Sequence, residues 1–167
     1  MKETNRSAIK RICEAALIAA LYVLLTLLSS TMGLAIGPIQ FRLSELLTIL
    51  PVFTSSAIPG LFVGCLLSNL LCGAEILDII FGSLATLIGA IGTYLLRKWK
   101  WCAPLPPILS NTIIIPFVLT YAYGIPGGIP FFMLTVGAGE VLSCGVLGMI
   151  LLFALQRYRN IIFKNNA

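Results

Sequence analysis

The sequence contains no histidine, and only 10% of its 167 residues are charged. A soluble domain has about 25% charged residues. The five cysteines form no CxxC pair. A zinc centre or a cysteine–histidine nucleophile therefore lacks the residues it needs. We expect no metal and no cofactor, and we interpret the cysteines as small apolar residues inside a helical bundle.

What the chain has in excess is apolar surface, because 59% of its residues are hydrophobic. This composition is typical of an integral membrane protein, and the length suits one all-α domain over residues 1–167. No small-residue cleavage site follows the first apolar run, so we expect that helix to be retained. A spanning helix needs about 20 apolar residues. The predicted spans cover residues 12–30, 43–54, 57–72, 76–96, 104–121 and 131–155.

The segment from Leu43 to Cys72 is either one overlong helix or two short ones. Pro51 and Pro59 favour two, because proline breaks or starts a helix, and Ser55 or Ser56 is placed to cap the second. The charges favour two as well. With six spans and cytoplasmic termini, ten of the eleven basic residues face the cytoplasm, as the positive-inside rule requires. We therefore predict a multi-pass six-helix bundle whose N- and C-termini are cytoplasmic.

The remaining basic residue, Arg42, falls on the predicted outer side. Acidic and amide side chains share that half of the bundle with it. An ionisable group at a helix centre costs about 2.5–3.5 kcal/mol, so such residues mark candidate functional sites. The candidate substrate-binding residues are Glu140, Asp78, Asn69, Asn111, Glu45 and Arg42.

Most of these residues also have an ordinary structural explanation. Arg42 and Glu45 lie three residues apart and can form a pair. Glu75 and Asp78 begin a helix, where the helix dipole favours acids. Glu140 has no charged neighbour and no helix end beside it, so the functional interpretation is strongest there. The amides that can instead serve as hydrogen bonds between helices are Asn69 and Asn111.

The outer half also contains many aromatic residues, some of them typical of an interfacial belt. A carboxylate accepts hydrogen bonds from two adjacent N–H groups, and such charge-assisted bonds are strong. We therefore predict an acid-rich, aromatic-lined cavity for a planar ligand with several N–H donors, either neutral or cationic. The loops Thr31–Phe41 and Tyr123–Pro130 suit gates or simple connectors. The aromatic residues are Phe41, Phe81, Tyr121, Tyr123, Phe131 and Phe132.

Small residues recur four apart on the first helix. Ala15 and Ala19 form one such pair, and Ala16 and Ala20 form another. This spacing makes a smooth surface that another helix can approach closely. The approaching helix belongs either to this bundle or to a partner protein.

Four long blocks of the sequence carry a resemblance to a known family. They are "GPIQFRLSELLTILPVFTSSAIPGLFVGCLLSNLL", "LDIIFGSLATLIGA", "APLPPILSNTII" and "TVGAGEVLSCGVLG". The chain resembles the substrate-binding S components of energy-coupling factor (ECF) transporters, specifically the queuosine-precursor (QueT) family. The resemblance covers roughly residues 15–155.

The resemblance implies a six-helix S component that binds a scarce nutrient from outside. The expected ligand is a 7-deazaguanine precursor of queuosine or queuine. The expected partners are a transmembrane coupling subunit and two ATPase subunits. By the same resemblance, Ala15, Ala16, Ala19 and Ala20 are similar to the alanine motif by which S components dock on the coupling subunit.

Two other classes of function compete with this interpretation. A stand-alone secondary transporter or channel for a small cationic or nitrogen-rich solute can use a deep acid such as Glu140 for proton coupling. An intramembrane enzyme is disfavoured, because no nucleophile–base pair is visible. The sequence contains no GxxxxGK[ST] loop, so partner ATPases would have to hydrolyse the ATP. We expect no nucleic-acid partner.

Overall fold

The computed structural model describes residues 2–34 and 41–158, with side chains from residue 7 onward. These residues form helices and no strand. Arg159, Lys164 and most of the predicted Thr31–Phe41 loop lie outside the described residues. The elements are α1 (Lys2–Thr31), the 3₁₀ helix η1 (Leu43–Val52), α2 (Ala57–Leu71), α3 (Ile76–Leu95), the 3₁₀ turn η2 (Lys100–Cys102), α4 (Leu105–Tyr121), α5 (Ile129–Glu140), a π-helix (Val141–Leu147) and α6 (Gly148–Arg157).

Four helices in the described part of the chain are long and apolar enough to cross a membrane. A 20-residue α-helix is about 30 Å long, which equals the thickness of a bilayer core. η1 and α2 are shorter, with 10 and 15 residues. The chain is therefore an all-helical, multi-pass membrane protein, and the count of six spans stays a prediction. The four long helices are Ser7–Thr31, Ile76–Leu95, Lys100–Tyr121 and Ile129–Arg157.

The second helical segment is a 3₁₀ helix and not an α-helix. A 3₁₀ helix rises about 2.0 Å per residue, so ten residues cover about 20 Å instead of about 15 Å. η1 contacts α1, α3, the π-helix and α6, and most of its residues are buried. It therefore runs through the middle of the bundle, where its polar side chains face other helices.

The start of α2 lacks the predicted serine cap. Ser56 occupies the cap position, but its backbone is helical, with φ −61° and ψ −21°, and its side chain makes no capping hydrogen bond. A capping serine normally has an extended backbone. The Ala57 N–H donates instead to the Thr54 carbonyl at 3.3 Å. The prediction of a serine cap is therefore wrong.

α1 and α2 approach each other closely through small residues. A Cβ added at Gly60 would lie 2.7 Å from the Ala15 carbonyl oxygen. A Cβ added at Gly64 would lie 3.1 Å from the Ala19 Cα, and Ala19 is buried. Of the two alanine pairs, Ala15 and Ala19 thus pack against α2. The exposed pair is Ala16 and Ala20.

The core has two apolar parts. The larger part surrounds Tyr22, Ile49, Leu61 and Leu152, which are fully buried. The smaller part lies between α4 and α5 and contains Ile115, Leu119, Phe132 and Val136. The buried polar side chains described next lie among these residues.

Candidate functional site

Three polar side chains from separate elements meet inside the bundle. Glu45 comes from the first turn of η1, Asn111 from α4 and Glu140 from the last residue of α5. The Asn111 Nδ2 donates to Glu140 Oε1 at 2.9 Å and lies 3.5 Å from Glu45 Oε2. All three are buried, with at most 7% of each residue exposed. One amide therefore bridges two buried carboxylates.

Glu45 has a second donor on α1. The Tyr22 hydroxyl donates to Glu45 Oε1, and Tyr22 is fully buried. One turn further along α1, the Thr26 hydroxyl donates to Ser44 Oγ at 2.8 Å. These contacts fix the start of η1 against α1, and they orient the Glu45 carboxylate towards Asn111.

The π-helix connects Glu140 to η1. Cys144, four residues after Glu140, places its Sγ 3.1 Å from Glu140 Oε2. The same Sγ lies 3.4 Å from the Glu45 carbonyl oxygen and 3.3 Å from Thr48 Oγ1. π-helical segments are rare and are frequent at functional sites. Here the widened turn brings a thiol against both the carboxylate and the backbone of η1.

A small cavity lies beside the two carboxylates. Its volume of about 10 Å³ gives room for about one water molecule. Polar side chains make up one part of its wall and aliphatic side chains the other. The lining residues are Arg42, Glu45, Gly82, Thr86, Asn111, Ile115, Val136 and Glu140.

A second polar group, which we call the clasp, consists of Arg42, Asn69, Asp78 and Tyr123. The Arg42 Nη2 lies 3.4 Å from Asp78 Oδ2, and its Nη1 donates to Asn69 Oδ1 at 3.2 Å. The Tyr123 hydroxyl donates to the same Asp78 oxygen at 3.0 Å. The clasp thus joins α2, α3, the start of η1 and the loop between α4 and α5.

Arg42 pairs with Asp78. It forms no ion pair with Glu45, although the three-residue spacing in the sequence suggested that pair as an ordinary structural explanation. Arg42 precedes η1 in an extended conformation, with φ −107° and ψ 113°. The Arg42–Glu45 spacing of three residues therefore does not place the two side chains on consecutive turns of an α-helix. Within residues 7–34 and 41–158, the other ion pair is Lys10–Glu14.

Gly82 lies between the cavity and two members of the clasp, Asp78 and Asn69. A Cβ at Gly82 would lie 2.9 Å from Asp78 Oδ1 and 3.1 Å from Asn69 Nδ2. Asp78 is 2% exposed, and its Oδ1 has no hydrogen-bond partner among the described residues. An unpaired buried carboxylate oxygen therefore lies directly behind the cavity wall.

Tyr123 lies after the end of α4, outside the spanning helix. Burial, and then the nearby Asp78 carboxylate, raise the pKa of Tyr123 to about 12. The phenol therefore keeps its proton throughout the neutral range and remains a hydrogen-bond donor to Asp78. This contribution to stability is fully present below the ordinary tyrosine pKa of about 10, and it is lost as the pH rises through about 12.

The structure separates the candidate residues into two groups. Arg42, Glu45, Asn111 and Glu140 line the cavity, whereas Asp78 and Asn69 lie behind its wall. Glu75 begins α3 with an exposed side chain, consistent with the dipole explanation for an acid there. None of the six aromatic residues named above lines the cavity, so the expectation of an aromatic-lined cavity is wrong.

Tyr22 and Cys144 are site residues that the sequence analysis missed. Tyrosine and cysteine are common in apolar helices, so neither stands out by composition. A signal existed for Cys144, which follows Glu140 by four residues and so shares its helix face. Cys65 and Cys144 are buried as expected, but the exposed cysteines Cys13 and Cys72 do not fit the interpretation as interior residues.

Apolar helices around a cluster of buried polar side chains define a multi-pass membrane protein. The family model described as QueT transporter matches residues 12–157. The chain belongs to the QueT transporter family, as the resemblance of its sequence blocks predicts.

One curated relative is the queuosine precursor transporter QueT of Lactococcus lactis subsp. cremoris (strain MG1363). It is 38% identical over 86 residues, which is 51% of this chain. The match covers 50% of the relative, so it spans about half of that protein's length. No solved structure matches the chain.

Proposed function

We propose that the chain is the substrate-binding subunit of an ATP-driven ECF-type importer, and that it captures a queuosine precursor. The ligand would be a 7-deazaguanine derivative or queuine. The name of the Lactococcus relative and the family membership support this class of ligand. The observation that carries the proposal is the pair of buried carboxylates, Glu45 and Glu140, on the wall of one cavity.

The chemistry of the cavity suits the edge of a guanine-like ring. Such a ring offers adjacent N–H donors, which one carboxylate can accept as two parallel charge-assisted hydrogen bonds. Glu45 and Glu140 supply acceptors, and Arg42 supplies donors for the ring carbonyl. Asn111 supplies both donor and acceptor atoms. Ile115 and Val136 supply apolar contacts for the ring faces.

A bicyclic ring needs more room than a cavity for one water molecule provides. Binding must therefore move part of the wall. The clasp is the part best placed to move, because it holds the loop after α4 to α3 through the Tyr123–Asp78 hydrogen bond. We propose that Asn69 orients Arg42, and that the free oxygen of Asp78 contacts the ligand once the clasp rearranges.

Transport would require partner proteins that bind the chain in the membrane. We propose that the partners are an ECF coupling subunit and two ATPases in a bacterial plasma membrane. The exposed Ala16 borders a groove of about 410 Å³ between α1 and α2, which Ala15 and Ala19 also line. A groove walled by small residues permits close approach of another helix.

The first experiment measures binding of 7-aminomethyl-7-deazaguanine to the detergent-purified chain by calorimetry. Glu140→Gln should weaken binding by at least about tenfold, because it removes a charged hydrogen-bond acceptor. Glu75→Gln is the matched control, since Glu75 is an exposed acid at the N-terminus of α3. Equal affinity of the wild type and Glu140→Gln would remove Glu140 from the site.

A second experiment tests the docking face. Ala16→Leu together with Ala20→Leu should preserve ligand binding and stop uptake by cells that contain the ECF module. Uptake at the wild-type rate would contradict the docking role. Transport by the chain alone in liposomes would instead support a stand-alone transporter.

A further inference from the structure

Four cations gather at one end of the bundle without a carboxylate partner. The turn at residues 96–102, which we call the basic turn, joins α3 to α4, and the end of α6 packs against it. No aspartate or glutamate occurs between Asp78 and Glu140 or after Glu140. Neither ion pair within residues 7–34 and 41–158 includes a residue of this region. The four cations are Arg97, Lys98, Lys100 and Arg157.

Aromatic packing joins the basic turn to α6. The ring centroids of Trp101 and Phe153 lie 5.3 Å apart, with the ring planes at 63° to each other. Arg157 follows Phe153 by four residues on α6, so the two side chains project from the same face of that helix. Lys100 directly precedes Trp101. Each of the two elements therefore places a cation next to the aromatic pair.

Exposed apolar side chains continue from this aromatic pair along both helices. On α4, Leu105 and Leu109 lie four residues apart, and both are exposed. On the other side, Phe153, Ile150 and Val146 are exposed at a spacing of three and four residues, which places them on one helix face. An apolar row thus leads away from the cations on each helix.

The two rows border a single furrow. A Cβ added at Gly145 would lie 3.8 Å from Ile108 Cδ1, so α4 and the π-helix are neighbours at that level. The contact between Trp101 and Phe153 marks the other end of the furrow. Seven or eight residues separate the two contacts, which corresponds to a length on the order of 10 Å. The furrow therefore runs from the cations into the apolar part of the membrane.

Two tryptophans indicate the depth of the basic turn in the membrane. Trp99 is 69% exposed and Trp101 is 77% exposed. Indole side chains favour the headgroup region of a bilayer, because the ring is apolar and its N–H is polar. The basic turn also joins two helices that are long enough to span the membrane. It therefore lies at the level of lipid headgroups, whichever side of the membrane it faces.

We propose that the basic turn and α6 form a binding site for an anionic phospholipid. The Lys100 ammonium and the Arg157 guanidinium pair with the lipid phosphate, and arginine can donate two parallel hydrogen bonds to it. Arg97 and Lys98 add to the attraction for a negative headgroup. The acyl chains lie along the apolar rows of α4 and α6. A soluble phosphate compound would leave this furrow unfilled, so the occupant is a lipid of the bilayer. The site is separate from the cavity between η1, α4 and α5, and it goes beyond the proposed function.

The first test compares two lipids that differ in headgroup charge and carry the same acyl chains. Phosphatidylglycerol is anionic, and phosphatidylcholine is zwitterionic. Native mass spectrometry of the detergent-purified chain should show phosphatidylglycerol binding at least about tenfold more tightly, because several cations act on one net negative charge. Equal affinity of the wild type for the two lipids would overturn the proposal. This comparison uses the unmodified chain, so it does not depend on the folding of any variant.

A competitor without acyl chains separates a lipid site from a site for free phosphate. Glycerol 3-phosphate carries a phosphate on glycerol and has no apolar chain to place in the furrow. At the same concentration as phosphatidylglycerol, it should leave the bound lipid in place. Displacement of the lipid would show that the phosphate alone is recognised, and it would contradict the lipid as occupant.

A double variant then assigns the preference to the two cations. Lys100→Gln together with Arg157→Gln should lower the affinity for phosphatidylglycerol about 30-fold and change that for phosphatidylcholine by less than about twofold. The matched control is Lys10→Gln together with Arg11→Gln, which removes the same charge from α1. This control should keep the wild-type affinity for both lipids. An equal loss in both double variants would show that net charge attracts the lipid without a site at the basic turn, and it would overturn the proposal.

Discussion

At the residue scale, the position of Glu45 explains most of the site. It contacts Tyr22 on α1 and Asn111 on α4, and its own carbonyl oxygen lies next to Cys144. A buried carboxylate is stable only if its oxygens are hydrogen-bonded. Tyr22 therefore acts as a positioning residue for the carboxylate that faces the cavity.

Tyr22→Phe tests this positioning. Phenylalanine fills nearly the same volume but leaves Glu45 Oε1 without its donor, so we expect a loss of about 1–3 kcal/mol in the free energy of unfolding. Unfolding in detergent by a denaturant series measures the loss. Tyr94→Phe is the control, because Arg97 stacks 4.1 Å from the Tyr94 ring centroid and does not need its hydroxyl. Equal effects of the two substitutions would contradict the role of Tyr22.

The sequence made part of this site predictable. Charged and amide residues stand out in apolar helices because their burial is costly, so Glu45, Asn111 and Glu140 were identifiable without coordinates. The pairing of Arg42 with Asp78 was not identifiable, because it depends on how η1 lies against α3. Tyr22 was missed because its hydroxyl gains a role only through Glu45, 23 residues away.

At the element scale, two irregular helices carry the carboxylates. Glu45 lies in the first turn of the 3₁₀ helix η1, and Glu140 directly precedes the π-helix. These two elements also pack against each other. The tighter winding of one and the wider winding of the other set where their side chains point, so the site depends on departures from α-helical geometry.

The type of helix formed by η1 and by the π-helix is the part of the fold that the sequence does not predict. Apolar runs and charge placement predicted residues 76–96 and 104–121 as helices, and the structure has Ile76–Leu95 and Leu105–Tyr121. Composition does not distinguish a 3₁₀ or π segment from an α-helix, because packing against the rest of the bundle decides between them. The sequence therefore does not predict that η1 is a 3₁₀ helix and not an α-helix.

The loop after α4 should respond to changes in the clasp. Tyr123→Phe removes the hydrogen bond to Asp78 and keeps the ring. If the clasp keeps the bound ligand in place, dissociation of the ligand from Tyr123→Phe should be several-fold faster. A smaller free-energy barrier then opposes opening of the loop after α4. Stopped-flow measurement of ligand release provides the rate. Tyr121→Phe, at an exposed position two residues earlier, is the control, and equal release rates for wild type and Tyr123→Phe would exclude the clasp as a gate.

At the scale of the whole molecule, the predicted orientation puts the cavity and clasp on the outer half. The turn that contains Arg97, Lys98 and Lys100 then faces the cytoplasm, as the positive-inside rule requires. Cys72 ends α2 at the opposite end of that helix from Ser56, and its side chain is exposed. The reactivity of Cys72 towards a reagent outside the cell therefore shows on which side of the membrane this end of the bundle lies.

Labelling of intact cells with a membrane-impermeant maleimide tests the orientation. Cys72 should react from outside, and Cys72→Ser should lose that signal. In the Cys72→Ser background, a Lys98→Cys variant should react only after the cells are made permeable. Labelling of the Lys98→Cys, Cys72→Ser double variant in intact cells would invert the topology and place the cavity on the cytoplasmic side.

The most direct test of the account is a structure of the chain determined with 7-aminomethyl-7-deazaguanine bound. We predict that the ring lies between η1, α4 and α5, with ligand nitrogens about 3 Å from carboxylate oxygens of both Glu45 and Glu140. A ligand bound elsewhere, with Asn111 still bridging an undisturbed pair of carboxylates, would contradict the central claim.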